Sequence, residues 1–179
     1  MLPELLNEQF RLVDGTIVKK CPTIKPLYCS QDGRFFSVRN MQITDEGCIM
    51  HELKAAFNPA KRARHQNTSV HHGIAYPSMS HFRNRLCHHL IWETFVGPRT
   101  KGMEIDHVNG NIIDWSLANL EEVTPAENRK RAKILRAMRK AGTDPTTIPQ
   151  SRLKAIFAHY DIMDGAEQMS RDISRHCEL

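Results

Sequence analysis

The sequence predicts an α+β protein in which a small antiparallel β module precedes a strand–strand–helix unit, and further helices follow. Two observations predict the β part: apolar and polar residues alternate in short runs, and turn-forming residues such as Asp14-Gly15 interrupt these runs. A third observation concerns the helical part, because Thr124-Pro125 is typical of a helix start. A chain of 179 residues suffices for one ordinary core with an appendage.

Two hairpins are predicted near the N-terminal end. Residues Gln9 to Lys20 alternate on either side of Asp14-Gly15, a dipeptide that tolerates the positive φ angles of a tight turn. Residues Leu27 to Val38 repeat the design, with Gln31-Asp32-Gly33 at the turn. Together they predict a small sheet.

The alternating pattern weakens from Asp45 to Thr68. The stretch HELKAAF (51–57) is compatible with one or two helical turns, which Asn58-Pro59 would end. A short exposed basic loop with a chance of touching phosphate is predicted at Lys61, Arg62 and Arg64. Residues Ser69 to Met79 read as another short strand.

Two helices are well marked by their ends. Residues Arg85 to Val96 place apolar side chains on one side and stop at Gly97-Pro98, which predicts a core helix. Thr124 is the expected cap of the second helix, with Pro125 at its first position and Glu127 three residues after the cap. That helix should run to about Lys140 and close at Gly142.

The remaining segment is predicted as a linker, Asp144 to Gln150, followed by two short helices at 151–160 and 165–176. The helix pair fits a helix-turn-helix or a packing hairpin equally well. We divide the chain into three parts: an N-terminal β-rich module (1–86), a central unit with the basic helix (87–142), and a linker with a C-terminal helical segment (143–179).

Composition excludes several classes of protein. The chain is 40% hydrophobic and 25% charged, and no apolar run is long enough to span a bilayer, so we expect no membrane partner. The N-terminal residues lack a signal-peptide pattern, which predicts a cytoplasmic protein. Five widely spaced cysteines without a Cys-x-x-Cys pair argue for free thiols, and against both a disulfide scaffold and a structural zinc site.

The net charge of +5 is concentrated in one segment. Between Pro125 and Gly142 the only acid is Glu127, whereas the basic residues are Arg129, Lys130, Arg131, Lys133, Arg136, Arg139 and Lys140. Such a segment indicates a polyanion partner, and nucleic acid before membrane because no broad aromatic or Leu-rich face accompanies it. A solvated helix face is the alternative.

The stretch from Met103 to Asn128 carries the candidate chemistry. We expect a strand at Ile105 to Val108, a turn formed by Asn109, Gly110 and Asn111, and a second strand at Leu120 to Val123 that leads into the capped helix. Carboxylate and amide oxygens from Asp106 and Asn128 suit a hard cation such as Mg²⁺. The imidazole of His107 is a fitting general base near neutral pH.

These residues resemble the HNH endonuclease family with its ββα-metal fold, and specifically the phage and intron branch of HNH homing endonucleases. The segments that carry the resemblance are, in order, CHHLIWETFVGP, EIDHVNGN and ANLEEVTPAEN, between Cys87 and Ala132. The stretch YCSQDGRFFSV is also similar to a strand module that often precedes this core. The chain departs from the family at Asp114-Trp115, where paired Asn is usual, and at Glu122, where Trp is frequent.

The resemblance implies a role for each motif residue. His107 would be the general base, with Asp106 and Asn128 as the metal ligands. Asn119 would orient His107 or pin the loop. His88 would be structural, like the turn formers Gly110 and Asn111.

The function we expect is metal-dependent hydrolysis of phosphodiester bonds in double-stranded DNA, by nicking or by cutting both strands. One Mg²⁺ or Mn²⁺ per active site and a monomer are the expectations. The predicted DNA contacts are Arg129, Arg131, Lys133, Arg136, Arg139, Lys140, Lys61, Arg62 and Arg64. Two alternatives stay open: a non-catalytic DNA-binding or regulatory protein on the same scaffold, and an RNA-cleaving HNH nuclease.

Overall fold

A computed structural model describes residues 8–24, 26–54 and 86–162. The predicted basic loop with Lys61, Arg62 and Arg64, the predicted strand at 69–79 and the second C-terminal helix at 165–176 lie outside the described residues. The chain divides into two compact units: residues 1–99 with 112–120, and residues 100–111 with 121–179. The α+β fold class is confirmed. The three sequence-based domain boundaries stay a prediction.

The first unit contains a five-stranded sheet in which every neighbouring pair is antiparallel and sequential. Both predicted hairpins are confirmed, since Phe10 pairs with Val18 and Tyr28 pairs with Phe36. The turn of the first hairpin has Gly15 at φ +85°, a conformation that glycine adopts without strain. The strands are β1 (Gln9–Arg11), β2 (Ile17–Lys20), β3 (Leu27–Ser30), β4 (Phe35–Thr44) and β5 (Gly47–Leu53).

The helical interpretation of HELKAAF is wrong for its first three residues. His51 to Leu53 belong to β5, where His51 pairs with Ser37 of β4. Pairing with a distant strand therefore decides the conformation here and overrides a weak local preference. The other four residues of the stretch lie mostly outside the described part of the chain.

Apolar side chains of this sheet form one core, and a helix packs near two strands of the sheet. The core residues are Phe10, Leu12, Val18, Tyr28, Phe36 and Cys48. The predicted helix at 85–96 is confirmed as α1 (Cys87–Phe95), with Leu90 and Ile91 buried. It packs near β2 and β3, and near a 3₁₀ turn at Leu117–Asn119.

The second unit contains the predicted strand–strand–helix arrangement. Its elements are β6 (Glu104–His107), β7 (Leu120–Val123, of which Leu120 groups with the first unit), α2 (Pro125–Lys140) and α3 (Gln150–Ile162). Strands β6 and β7 form a two-stranded sheet. The predicted start and end of α2 are confirmed: the Thr124 side chain accepts a hydrogen bond from the Glu127 backbone N–H at 3.1 Å, and Gly142 has φ +85°.

A second apolar core joins α2 to α3. It consists of Val108, Ile134, Leu135, Met138, Leu153, Phe157 and Tyr160. The segment predicted as a plain linker contains a 3₁₀ turn at Pro145–Thr147, where the Asp144 carboxylate accepts a hydrogen bond from the Thr146 backbone N–H at 3.0 Å. Pro145 is buried, so the segment is a packed connection between two helices.

Within the residues described, no helix is both long and apolar enough to cross a lipid bilayer.

The turn between β3 and β4 holds the segment that precedes β7. The Leu117 backbone N–H donates to the Gln31 carbonyl at 2.7 Å, and the Phe35 and Trp115 rings lie 6.4 Å apart. Gly33 has φ +90°, and a Cβ at that position would lie 3.1 Å from backbone atoms of Trp115 and Ser116. A glycine is required here for close backbone approach as well as for its φ angle.

Gly33→Ala is therefore expected to destabilise the protein more than Gly15→Ala. Both glycines have a positive φ, which costs alanine about 1 to 2 kcal/mol, but nothing lies within 4 Å of a Cβ at Gly15. The additional contact should make Gly33→Ala worse by at least about 1 kcal/mol, as measured by urea unfolding of both variants. Equal losses of unfolding free energy in the two variants would contradict the close approach of the Trp115 and Ser116 backbone to Gly33.

Candidate active site

Strand β6 presents two different faces. Ile105 and His107 are buried, whereas Glu104 and Asp106 alternate with them on the other, half-buried face. The structure therefore places the predicted base and the predicted ligand Asp106 on opposite faces of one strand, adjacent in sequence at the strand's end.

The Asp106 carboxylate is largely buried, and its charge is only partly balanced by neighbouring groups. Its Oδ2 atom is buried and accepts no hydrogen bond within the described part of the chain. Among the described residues it forms an ion pair with the Arg131 guanidinium, whose Nη1 atom lies 3.8 Å from this oxygen. Burial raises the pKa of Asp106 to about 6, although the Arg131 charge acts in the opposite direction. A buried carboxylate oxygen without a donor is suited to binding a cation.

Asn128 lies on the same side of β6 as Asp106. It is in the first turn of α2, where its backbone N–H donates to the Thr124 carbonyl at 2.9 Å. Its side-chain Nδ2 donates to Glu104 Oε2 at 2.6 Å. Since Glu104 and Asp106 share a face of the strand, this hydrogen bond brings the Asn128 amide to that face.

Glu104 is the residue of this face that the motif-based analysis missed. The sequence alone could have placed Glu104 on the same face as Asp106, because side chains two residues apart on a strand point the same way. What the sequence does not give is the pairing with Asn128, which depends on where α2 packs against the strand.

The donor set fits a hard cation that retains water. Among the described residues, no three His, Cys, Asp or Glu side chains converge as a metal-binding group. A site made of Asp106 and Asn128 is therefore one carboxylate and one amide, and Mg²⁺ commonly binds through so few protein ligands. The buried oxygen of Asp106 is the observation that fits such an ion.

His107 ends β6 and begins the predicted turn. The residue is 6% exposed, and its carbonyl accepts a hydrogen bond from the Gly110 N–H at 2.7 Å. The turn is closed by Asn109, whose side-chain oxygen accepts from the Asn111 backbone N–H at 2.8 Å, and Gly110 has φ +66°. The turn-forming role predicted for Gly110 and Asn111 has this geometric basis.

Asn119 and His88 are both buried in the first unit. Asn119 is fully buried, and its Nδ2 donates to the Asp114 carbonyl at 3.0 Å. This hydrogen bond is compatible with pinning the loop, and the alternative role of orienting His107 stays a prediction. The His88 ring packs against the His89 ring with their centroids 4.4 Å apart.

Each residue that departs from the family pattern forms a hydrogen bond within its own loop or with a neighbouring one. The Asp114 carboxylate accepts a hydrogen bond from the Ser116 hydroxyl at 2.7 Å, and the Trp115 indole N–H donates to the Ile112 carbonyl at 2.9 Å. Glu122 accepts a hydrogen bond from the Thr100 backbone N–H at 2.7 Å and another from its hydroxyl at 2.8 Å. These residues therefore stabilise the loops that flank the two strands.

The basic residues of α2 lie on different sides of the helix. Four of them follow one another at spacings of four, three and four residues, which places them within about 60° around the axis and along about 16 Å. We call this set the basic stripe; it consists of Arg129, Lys133, Arg136 and Lys140. Arg139 is exposed as well, and its Nη2 donates to the Gly110 carbonyl at 3.1 Å.

Arg131 lies on the opposite side of α2 from the basic stripe. Its side chain is 11% exposed and forms ion pairs with Glu121 at 2.6 Å and Glu127 at 2.8 Å. Its guanidinium also lies 5.0 Å from the centre of the Phe157 ring. The structure thus places Arg131 inside the unit, among carboxylates, and apart from the basic stripe with which it was grouped as a DNA contact.

Comparison with known proteins identifies the segment that contains Asp106, His107 and Asn128. Residues 85–130 match the family described as HNH endonuclease, which confirms the resemblance over that segment. Over 84 residues the chain is 31% identical to the "SPbeta prophage-derived putative HNH homing endonuclease YosQ" of Bacillus subtilis (strain 168), covering 46% of this chain and 49% of that protein.

A second relative, "Protein 3.8" of Escherichia phage T7, is 44% identical over 41 residues, covering 23% of this chain and 34% of that protein. The chain therefore spans about half or less of the length of these curated relatives. No solved structure matches it.

Asp106→Asn should stabilise the metal-free protein at neutral pH. Because the folded protein binds the Asp106 proton more tightly than the unfolded chain, ionisation of this carboxyl weakens folding as the pH rises from about 4 through 6. Removing the charge should raise the unfolding free energy above pH 7 by up to about 3 kcal/mol, and by nothing below about pH 4. Urea unfolding across this pH range measures the difference.

Glu121→Gln is the matched control, with the opposite sign. Burial raises the pKa of Glu121, but its bonds to Arg131 and Lys154 outweigh burial and leave the pKa below its ordinary value. Its ionised form therefore stabilises the fold at neutral pH, and that stability is lost as the pH falls. A loss of stability in both variants at about pH 8 would contradict a buried Asp106 carboxylate that Arg131 compensates only in part.

Proposed function

We propose that this chain, whose residues 85–130 match the HNH endonuclease family, is a metal-dependent endonuclease that hydrolyses phosphodiester bonds of double-stranded DNA. One observation carries the proposal: within the matching segment, Asp106 has a buried oxygen without a hydrogen-bond donor in the described part of the chain, on the strand face to which Asn128 is held. The prophage homing-endonuclease name belongs to a relative and supports DNA as the substrate class.

Asp106 and Asn128 would hold the metal, for which Mg²⁺ or Mn²⁺ is the candidate. When bound, such an ion neutralises charge on the scissile phosphate and on the departing oxygen. The protein contributes the positions of the two oxygens: β6 fixes the carboxylate, and the capped first turn of α2 fixes the amide.

His107 is the candidate general base. It would accept the proton of the attacking water, for which an imidazole is suited near neutral pH. It is the last residue of β6, adjacent in sequence to Asp106, and the Asn109–Asn111 turn fixes the backbone immediately after it. One base and one ion make a single active site, so a monomer would nick one strand in each event.

The basic stripe is the proposed contact with the DNA backbone. It begins at Arg129, the residue after Asn128, so a phosphate at the proposed metal would lie near its first member. Cations along one helix face bind phosphates without reading bases. Arg131 takes no part in this contact, because it is engaged by Glu121 and Glu127.

His107→Ala should lower the nicking rate of supercoiled plasmid in Mg²⁺ by at least about 100-fold, the loss expected when a general base is removed. Asp106→Ala and Asn128→Ala should lose activity as well, and EDTA should abolish that of the wild type. The control is His159→Ala, which removes an exposed histidine from α3. Gel analysis of relaxed and linear products measures the rates.

A His107→Ala protein as fast as the wild type would remove His107 from the mechanism. Binding of plasmid without metal-dependent nicking would favour the non-catalytic DNA-binding alternative. Faster cleavage of single-stranded RNA than of duplex DNA would favour the RNA-nuclease alternative.

Replacing Lys133, Arg136 and Lys140 by Gln should reduce the slope of log affinity against log salt by about 2 to 3, because each phosphate contact contributes about 0.9. The matched control removes three exposed charges of the first unit: Arg11, Arg39 and Lys54. Fluorescence anisotropy with duplex DNA measures both slopes. An equal change in the control would show either a general charge effect or DNA contact by the first unit, and would contradict a contact confined to the basic stripe.

A further inference from the structure

We propose that Glu104 is a positioning residue that fixes the orientation of the Asn128 amide, so that the amide oxygen is the atom presented to the metal. The inference rests on the proposed function, because it assigns Asn128 Oδ1 as a metal ligand. It adds a residue to which the family resemblance gave no role, and it states how that residue acts.

The argument starts from the two ends of an amide side chain. Asn128 has an N–H₂ end that only donates hydrogen bonds and an oxygen end that only accepts them, and the two ends are nearly equal in shape. Only the oxygen end can bind a cation. An amide that rotates freely by about 180° would therefore spend part of its time with the wrong end toward the metal.

A carboxylate removes this ambiguity. Ionised Glu104 has acceptors and no donor, so it pairs with the N–H₂ end of Asn128 alone. The observed bond runs from Asn128 Nδ2 to Glu104 Oε2 at 2.6 Å. Reversing the amide would bring two oxygens to that separation, which their negative charge opposes. The oxygen end of Asn128 is thereby directed away from Glu104.

Both partners are held by rigid backbone. Glu104 is the first residue of β6, and Asn128 lies in the capped first turn of α2. Within the described part of the chain, Asn128 Oδ1 forms no hydrogen bond, which leaves this atom available for a ligand. Asp106 supplies the other proposed ligand from the same strand face as Glu104.

The test is a double-substitution cycle on the full chain. Glu104→Gln keeps the shape but supplies both a donor and an acceptor, so the Asn128 amide can pair in either orientation. Affinity for Mn²⁺ alone, measured by calorimetry without DNA, should fall by about 10- to 100-fold, as is typical when a residue that orients a metal ligand is changed. Thermal unfolding of each variant verifies folding.

The second half of the cycle repeats the change in an Asn128→Asp background. The carboxylate introduced there has oxygens at both ends, so its orientation no longer matters, and the amide introduced by Glu104→Gln can donate to one of these oxygens. The double variant E104Q/N128D also has the net charge of the wild type. Glu104→Gln is therefore expected to leave Mn²⁺ affinity unchanged, or to raise it, when Asn128 has been replaced by Asp.

The outcomes separate the inference from the proposed function. Equal weakening by Glu104→Gln in both backgrounds would show that Glu104 acts only through its charge, and would overturn the positioning role. Unchanged affinity in the Asn128 background would overturn it too, while the metal site stands if Asn128→Ala abolishes binding. A wild-type protein that binds no Mn²⁺, or an Asn128→Ala variant that binds it equally well, would overturn the proposed metal site itself.

Discussion

The second compact unit depends on the ion pairs of one arginine. Arg131 is almost enclosed, and a charge in that state requires partners, because removal from water costs far more than a single exposed pair returns. Its partners come from different elements: Glu121 from β7, Glu127 from α2 and, more distantly, Asp106 from β6. The Phe157 ring from α3 covers the guanidinium. One side chain thus connects both strands and both helices of the unit.

This arrangement divides the helix α2 into two functional sides. The inward side carries Arg131 together with apolar Ile134, Leu135 and Met138, and it determines where the helix lies against the strands. The outward side carries the basic stripe. A helix held so firmly from within can keep Asn128 in place at its first turn. Arg131 therefore belongs to the basic segment that suggested a nucleic-acid surface, but its ion pairs connect elements inside the unit.

Local signals in the sequence predicted much of the fold, because they act between residues close in the chain. The Asp14-Gly15 turn and the Thr124 cap were predictable since each depends on its own backbone. The conformation of residues 51–53 was not, because it is set by pairing with β4. The partners of Arg131 and Asn128 were not predictable either. Arg131 pairs with Glu121, and Asn128 with Glu104, only because α2 packs against the strands. The family resemblance identified the candidate ligands, while the side chains that contact them are seen only in the structure.

The packing of α3 bears on how the segment that matches the HNH endonuclease family could be inherited or transplanted. Leu153, Phe157 and Tyr160 complete the apolar core with α2, and the Lys154 ammonium lies 3.3 Å from Glu121, itself a partner of Arg131. A graft that ended at the last residue of α2 would carry every motif residue but leave the arginine's aromatic cover behind. The exchangeable unit is thus larger than the motif, and recombination boundaries compatible with a folded module fall beyond α3.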